Sequence, residues 1–127
     1  MTCRRAWILG GWIAMATGLA PVAAEAGHVA TVVMSGLDNP RGLAWGPDGG
    51  LYVAEAGLGG DGPSIESGDG ATVSYGATGA VSRLIGGVQE RVATGLPSLA
   101  AAGGGSATGL QDLAFSSSGE LYGVIGL

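Results

Sequence analysis

The sequence predicts an all-β fold, and the observations behind this class are abundant glycine, few charges and short apolar segments separated by turn residues. Glycine fills 27 of the 127 positions, and only 12% of residues are charged. Because no Gly-X-Y period accompanies the glycine, it indicates tight turns between short strands rather than a collagen-like or a charged disordered chain. After residue 24 no segment shows a helical hydrophobic period.

Residues 1–24 have the three parts of a secretory signal peptide. Two arginines give a positive start, an uncharged apolar run follows over residues 7–19, and small residues provide a cleavage site. The run has 13 residues, short of the roughly 20 that span a bilayer, so an uncleaved anchor is the weaker alternative. We predict cleavage after Ala24 or Ala26, a secreted or periplasmic protein, and no stable membrane anchor after cleavage.

The exported part, residues 25–127, is acidic. It keeps three arginines against ten acidic residues, so its formal charge is 3 − 10 = −7. Such a surface repels phosphate backbones, which excludes nucleic acid as a partner. Cys3 leaves with the signal, and therefore no disulfide is available. The single histidine, His28, leaves Ser-His-Asp catalysis and histidine-based zinc sites without their central residue.

An internal repeat organises the exported part. Residues 43–45 (LAW) align with residues 113–115 (LAF), and at the same offset of 70 Gly49 aligns with Gly119 and Leu51-Tyr52 with Leu121-Tyr122. A second match, residues 32–37 with residues 91–96, has an offset of 59, which locates an 11-residue insertion in the Ala/Gly/Ser-rich segment between the two matches.

Turn residues divide one repeat into two hairpins. The segments GLAW and LYVAE flank the turn at residues 47–50, and AVSRLI and VQERVAT flank Gly86-Gly87. Four antiparallel strands per unit, recurring with variable loops, predict blades of a β-propeller rather than a two-sheet sandwich. The opening segment, 28–34, then reads as the outer strand of another blade that closes the ring. We expect a partial propeller: this closing strand, blade 1 and the first half of blade 2.

These segments carry a family resemblance. GLDNPRGLAWGPDGGLYVAEAG, YGATGAVSRL, TGLPSLA and GLQDLAFSSSGELYGVIGL resemble the ScyD/ScyE family of exported propeller proteins, distant relatives of NHL-repeat propellers, over nearly all of residues 32–127. The resemblance implies a fold rather than an activity. Family members tend to carry cysteines where this chain has Ser64 and Ser74, so a loop disulfide that the resemblance implies is missing.

Candidate binding residues flank the first two strands. Asp38, Asn39 and Arg41 precede the first strand and Glu55 ends the second, so in a propeller they approach the channel mouth, where ligands bind. The alternative is that Arg41 pairs with an acid and only ties neighbouring blades together. A weak Ca²⁺ site is suggested by three acids, whose spacing does not match an EF-hand loop and for which a solvated loop is the alternative: Asp61, Glu66 and Asp69.

The aromatic residues at repeated positions are predicted to pack between blades rather than to form a stacking platform. They are Trp45, Tyr52, Phe115 and Tyr122.

Two functions follow. The first is a non-catalytic scaffold that binds a small molecule or another exported protein and needs no cofactor. The alternative is the amino-terminal part of a propeller enzyme, either a quinoprotein sugar dehydrogenase or a metal-dependent lactonase, whose first blades resemble this one.

Overall fold

The computed structural model describes residues 29–126, and the predicted signal peptide and His28 lie outside them. Among the described residues there are seven strands and no helix, which confirms the all-β class. The strands are β1 (Pro40–Trp45), β2 (Leu51–Glu55), β3 (Ser64–Glu66), β4 (Thr72–Ile85), β5 (Val88–Ala100), β6 (Leu110–Phe115) and β7 (Leu121–Ile125). Within this same range, the structure contains no helix of the length and hydropathy that crossing a membrane requires.

Strands β1, β2, β4 and β5 form an antiparallel meander in that spatial order. The short β3 extends the sheet beside β2, because β2 pairs with residues 80–84 of β4 and β3 pairs with residues 72–74. Strands β6 and β7 form a separate antiparallel hairpin. The four-strand order that the sequence predicts for one unit is therefore present.

Turn glycines close the hairpins. At the β4–β5 turn, Gly86 and Gly87 have φ of 56° and 81°, as a two-residue type I′ turn requires. At the β1–β2 turn, Gly49 has φ of 77° and its N–H donates to the Gly46 carbonyl. A side chain at these positions would strain the backbone, which is why the sequence predicts both turns correctly.

The two repeated segments form equivalent hairpins. Ala44 faces Tyr52 across β1 and β2, and Ala114 faces Tyr122 across β6 and β7. Both turns carry the same pair of backbone hydrogen bonds, and Gly119, with φ of 87°, occupies the place of Gly49. The repeat read from the sequence is therefore also a repeat in backbone geometry.

The hydrophobic core lies between the first sheet and the β6–β7 hairpin. Buried residues of both elements form it: Tyr52, Ala54, Val81, Leu110 and Leu113. The ring of Phe115 packs edge-on against Tyr52, with centroids 4.9 Å apart and planes at 72°. Two of the four repeated aromatics thus pack between the sheet and the hairpin.

The other two aromatics correct the prediction. Trp45 is 73% exposed and Tyr122 is 57% exposed, because each lies on the outer side of its hairpin, away from the core. Residues 29–39, which include most of the predicted closing strand, belong to no strand in the structure. The sequence predicts that this strand pairs with a different blade, so its pairing stays a prediction.

Candidate functional site

Glu55 is the centre of a buried polar network. Its side chain, at the end of β2, has no exposed surface. The Ser82 hydroxyl donates to Oε1 at 2.6 Å and the Asp38 N–H donates to Oε2 at 2.6 Å. Arg91 donates to both oxygens, from Nε at 3.1 Å and from Nη2 at 2.7 Å.

Arg91 compensates the negative charge of Glu55 in this network. Burial raises the pKa of Glu55, but the hydrogen bonds from Arg91, the Asp38 N–H and Ser82 outweigh it and hold the pKa below its ordinary value. The same contact with Glu55 raises the pKa of Arg91. Glu55 is therefore ionised at neutral pH and is fully engaged by protein donors.

Arg91 connects this network to the segment before β1. Its Nη2 also donates to Asp38 Oδ2 at 2.9 Å and to the Gly36 carbonyl at 3.4 Å. Next to it, the Gln89 side chain and Ser35 exchange two hydrogen bonds, of 2.8 and 3.1 Å. The segment over residues 35–38 is thereby fastened to β5 through side chains rather than through a strand ladder.

Asn39 connects two other loops through side-chain hydrogen bonds. Its Nδ2 donates to the Gly57 carbonyl at 2.8 Å and to the Gly104 carbonyl at 2.9 Å. Asn39 has φ of 53°, a conformation that asparagine tolerates better than most residues. It joins the start of β1 to the loop after β2 and to the insertion before β6.

Arg41 also connects two parts of the chain through a hydrogen bond. Its Nη2 donates to the Ala107 carbonyl at 2.8 Å, in the loop that leads into β6. Among the described residues it forms no ion pair, so the partner that ties it to the second repeat is a carbonyl and not an acid. Arg41 therefore connects the two repeats, as the alternative expected, but through a hydrogen bond to a backbone carbonyl instead of an ion pair.

The structure therefore separates the four predicted mouth residues. It brings Asp38 and Glu55 together through Arg91, and it places Asn39 and Arg41 in separate loop contacts. Glu55 cannot meet a ligand directly, because its carboxylate has no exposed surface. Ligand binding by the other three stays a prediction.

A cleft opens beside the buried network. It has a volume of about 230 Å³ and is lined by charged, hydroxyl and small residues, among them Asp38, Thr78, Arg91, Thr94 and Gly95. The lining includes charged and hydroxyl side chains, which are of the kind that form hydrogen bonds with a small polar molecule.

The three acids considered for Ca²⁺ do not converge. Among residues 29–126 no three acidic, histidine or cysteine side chains lie close enough to hold a metal ion. Asp69 accepts from the Ser67 hydroxyl, the Ala71 N–H and the Ser106 hydroxyl, and these hydrogen bonds lower its pKa. Its role is to order the β3–β4 turn.

Sequence reasoning missed Ser82 and Arg91 as partners of Glu55. Strand alternation was the available signal. Glu55 lies two residues after Val53 and so on the same face of β2, and Val53 pairs with Ser82, which in turn pairs with Arg91. It also left open how Ser64 and Ser74 are arranged, and the structure pairs them directly across β3 and β4 with their hydroxyl oxygens 2.8 Å apart.

Comparison of the chain with protein-family models finds no match, and comparisons with curated proteins and with solved structures find none either.

Proposed function

We propose that this chain is part of a secreted or periplasmic β-propeller scaffold that binds a small polar ligand or another exported protein and performs no catalysis. The observation that carries the proposal is the packing of the repeated hairpins. The β6–β7 hairpin repeats the register and the turn of β1–β2 and packs its face against the first sheet, as a second blade packs on a first.

An apolar cleft supports the same arrangement. It has a volume of about 240 Å³ and lies between strands β4 and β5 and the β6–β7 hairpin, lined by Val81, Leu96, Leu110, Leu121 and Ile125 among others. Strands equivalent to β4 and β5, added beside β7, would fill this space. The second unit would then be a four-stranded blade like the first.

The buried network supports a scaffold over an enzyme. Catalytic carboxylates need access to substrate, whereas Glu55 is enclosed by Arg91, Ser82 and the Asp38 N–H. Hydrogen bonds of this kind fix the segment before β1 onto the sheet. The cleft beside Asp38 and Arg91 is the proposed binding place.

Calorimetry tests the choice between scaffold and enzyme. The purified chain is titrated with Ca²⁺ and with pyrroloquinoline quinone, and sugar-dehydrogenase and lactonase turnover are measured in parallel. We expect no saturable heat and no turnover. Saturable binding of the quinone, or turnover that depends on Ca²⁺, would favour the enzyme.

Chemical-shift mapping tests the binding place. A panel of sugars and small carboxylates is screened against ¹⁵N-labelled chain, and we expect the responding amides to cluster at Thr78, Thr94 and Gly95. Replacement of Thr94 by valine keeps the shape of the side chain and removes its hydroxyl, so it should weaken the response. Shifts that are scattered, or a Thr94→Val chain that responds unchanged, would contradict the assignment of the cleft.

Export is tested by the mature terminus. The chain is expressed in a bacterial host, and the periplasmic and membrane fractions are separated. We expect a periplasmic product that begins at Glu25 or Gly27. A product that keeps Met1 and stays with the membrane would contradict the export part of the proposal.

A further inference from the structure

Two apolar faces of the structure are uncovered. One is the outer side of the β1–β2 hairpin, formed by Leu43, Trp45 and Leu51, which we call the Trp45 face. Leu43 is 63% exposed and Trp45 is 73% exposed. The other is the outer side of the β6–β7 hairpin, formed by Ala114, Tyr122 and Val124, which we call the Tyr122 face. Val124 is 64% exposed.

Strand alternation explains why these residues point outward. Ala44 and Tyr52 pack in the core, so their neighbours along the strands, Leu43, Trp45 and Leu51, lie on the opposite side of the sheet. In the second hairpin Leu113 and Phe115 pack toward the first sheet, which leaves Ala114 and its partner Tyr122 outside. Each hairpin therefore has one inner and one outer face.

The repeat makes the two outer faces complementary. At the offset of 70 residues, the Trp45 face corresponds to Leu113, Phe115 and Leu121, and the Tyr122 face corresponds to Ala44, Tyr52 and Ala54. These corresponding sets already face each other inside the chain, where Phe115 packs on Tyr52 at 4.9 Å. The uncovered faces are thus the two halves of a contact that the chain makes once internally.

We propose that copies of this chain associate head to tail, with the Trp45 face of one copy packed on the Tyr122 face of the next. The ring of Trp45 takes the place of Phe115, and Tyr122 takes the place of Tyr52. Such a contact joins two different surfaces, so every dimer keeps one free face of each kind and can grow further or close into a ring.

The occupant of both faces is a second copy, because the chain itself provides the matching surface. Tyr52 and Tyr122 occupy equivalent positions of the repeat, and their exposed fractions show how much side-chain surface the contact buries. Tyr52, inside the contact, is 8% exposed, and Tyr122, outside it, is 57% exposed. Large apolar side chains that protrude from a surface in this way mark association sites.

Sedimentation velocity of the full chain tests the proposal. The wild type should form oligomers whose size rises with concentration. Trp45→Asp and Tyr122→Asp should each weaken association about 30-fold, as expected for the loss of an aromatic hot spot. The control is Val88→Asp at the β4–β5 turn, where the side chain is 63% exposed and lies on neither face. It should associate like the wild type.

Mixing the two variants gives the sharpest result. The Trp45→Asp chain keeps a sound Tyr122 face and the Tyr122→Asp chain keeps a sound Trp45 face. An equimolar mixture should therefore form dimers and stop there. Both side chains are exposed, so each variant should keep the circular dichroism spectrum of the wild type.

Three results would overturn the proposal. The first is a wild-type chain that stays monomeric at every concentration. A monomer would indicate that another exported protein or a further segment, and not a second copy, covers the faces. The second is association that persists in both variants as it does in Val88→Asp. The third is a mixture that contains no dimer.

Discussion

Replacing Glu55 by glutamine tests the buried network. The amide keeps the shape of the side chain, but it removes the charge that Arg91 faces and turns one acceptor oxygen into a donor. That donor then meets either the Asp38 N–H or the Arg91 guanidinium, each of which already donates to Glu55. The variant therefore leaves at least one buried donor without a partner.

The size of the loss follows from these contacts. Breaking a buried ion pair by removing one partner costs about 3–5 kcal/mol. Arg91 is 40% exposed and keeps its ion pair with Asp38, so water and Asp38 compensate it in part. We therefore expect the free energy of unfolding to fall by about 3 kcal/mol, the lower end of that range.

Urea unfolding at pH 7 and low protein concentration measures this loss. The control is Glu66→Gln in β3, because Glu66 is an exposed carboxylate on the same sheet. An exposed change of this kind should alter the free energy by less than about 0.5 kcal/mol. If Glu55→Gln were no more costly than Glu66→Gln, the network would not stabilise the fold.

The pH dependence of the free energy of unfolding is a second, independent test of the network. Because the pKa of Glu55 is below its ordinary value in the folded protein, the unfolded chain binds the proton first as the pH falls. The stabilisation is fully present above the ordinary pKa of about 4.5 and is lost as the pH falls through the folded value. Glu55→Gln should remove this part of the acid sensitivity. A variant whose stability falls as steeply with acid as the wild type would contradict the assignment.

Three further predictions concern packing. Ser64→Cys with Ser74→Cys should form a disulfide under oxidising conditions, because the two residues are directly paired, and the closed loop should add about 2–3 kcal/mol to stability. Gly42→Ala should destabilise by roughly 1–3 kcal/mol, because the new Cβ would lie 2.1 Å from Asp112 Oδ1 in the second hairpin. Phe115→Ala should cost about 2–3 kcal/mol, less than a fully enclosed ring, through loss of the contact between the hairpins.

Matched controls accompany these three changes. Ser64→Cys alone should show a free thiol and unchanged melting under oxidation. Gly68→Ala adds a Cβ in open space, without a positive φ, and should change little. Trp45→Ala, at the repeat position of Phe115 but 73% exposed, should be nearly neutral for the dilute monomer. If a variant and its control changed the free energy of unfolding equally, the contact tested by that pair would not contribute to stability.

The sequence predicts the strands that tight turns define. Gly49, Gly86 and Gly87 have a positive φ in the structure, and each marks a hairpin that was predicted from its turn residues. The repeat was predicted for the same reason, because the register and the turn bonds of β6–β7 follow from the same residues as those of β1–β2.

The extent of β4 and β5 was not predicted, because their glycines and proline are typical of loops. Gly76 continues β4 where the backbone of the loop after β2 crosses it, and a Cβ there would lie 2.0 Å from the Gly59 carbonyl oxygen. Pro97 is tolerated in β5 because it lies at an irregularity of the pairing with β4, between the paired residues Leu96 and Ser98. The short strand β3 depends on this extension and was missed with it.

The site was predicted only in part, since side-chain partners depend on the cross-strand register. Glu55 was recognised as a strand-end acid, but its burial depends on Ser82 and Arg91, which lie 27 and 36 positions away. Likewise, the repeat predicts that Trp45 and Phe115 are equivalent, although only one of them faces a neighbouring hairpin. Equivalence in sequence does not distinguish an inner face from an outer one.

The two repeated hairpins are equivalent units packed face to face, and aromatic nuclear Overhauser effects report on this packing. Phe115 is the only phenylalanine in the chain, so selective labelling isolates its ring. We predict cross-peaks between the ring protons of Phe115 and those of Tyr52, whose centroids are 4.9 Å apart. Cross-peaks from Phe115 that stay within its own hairpin would show that the two hairpins do not pack in this way.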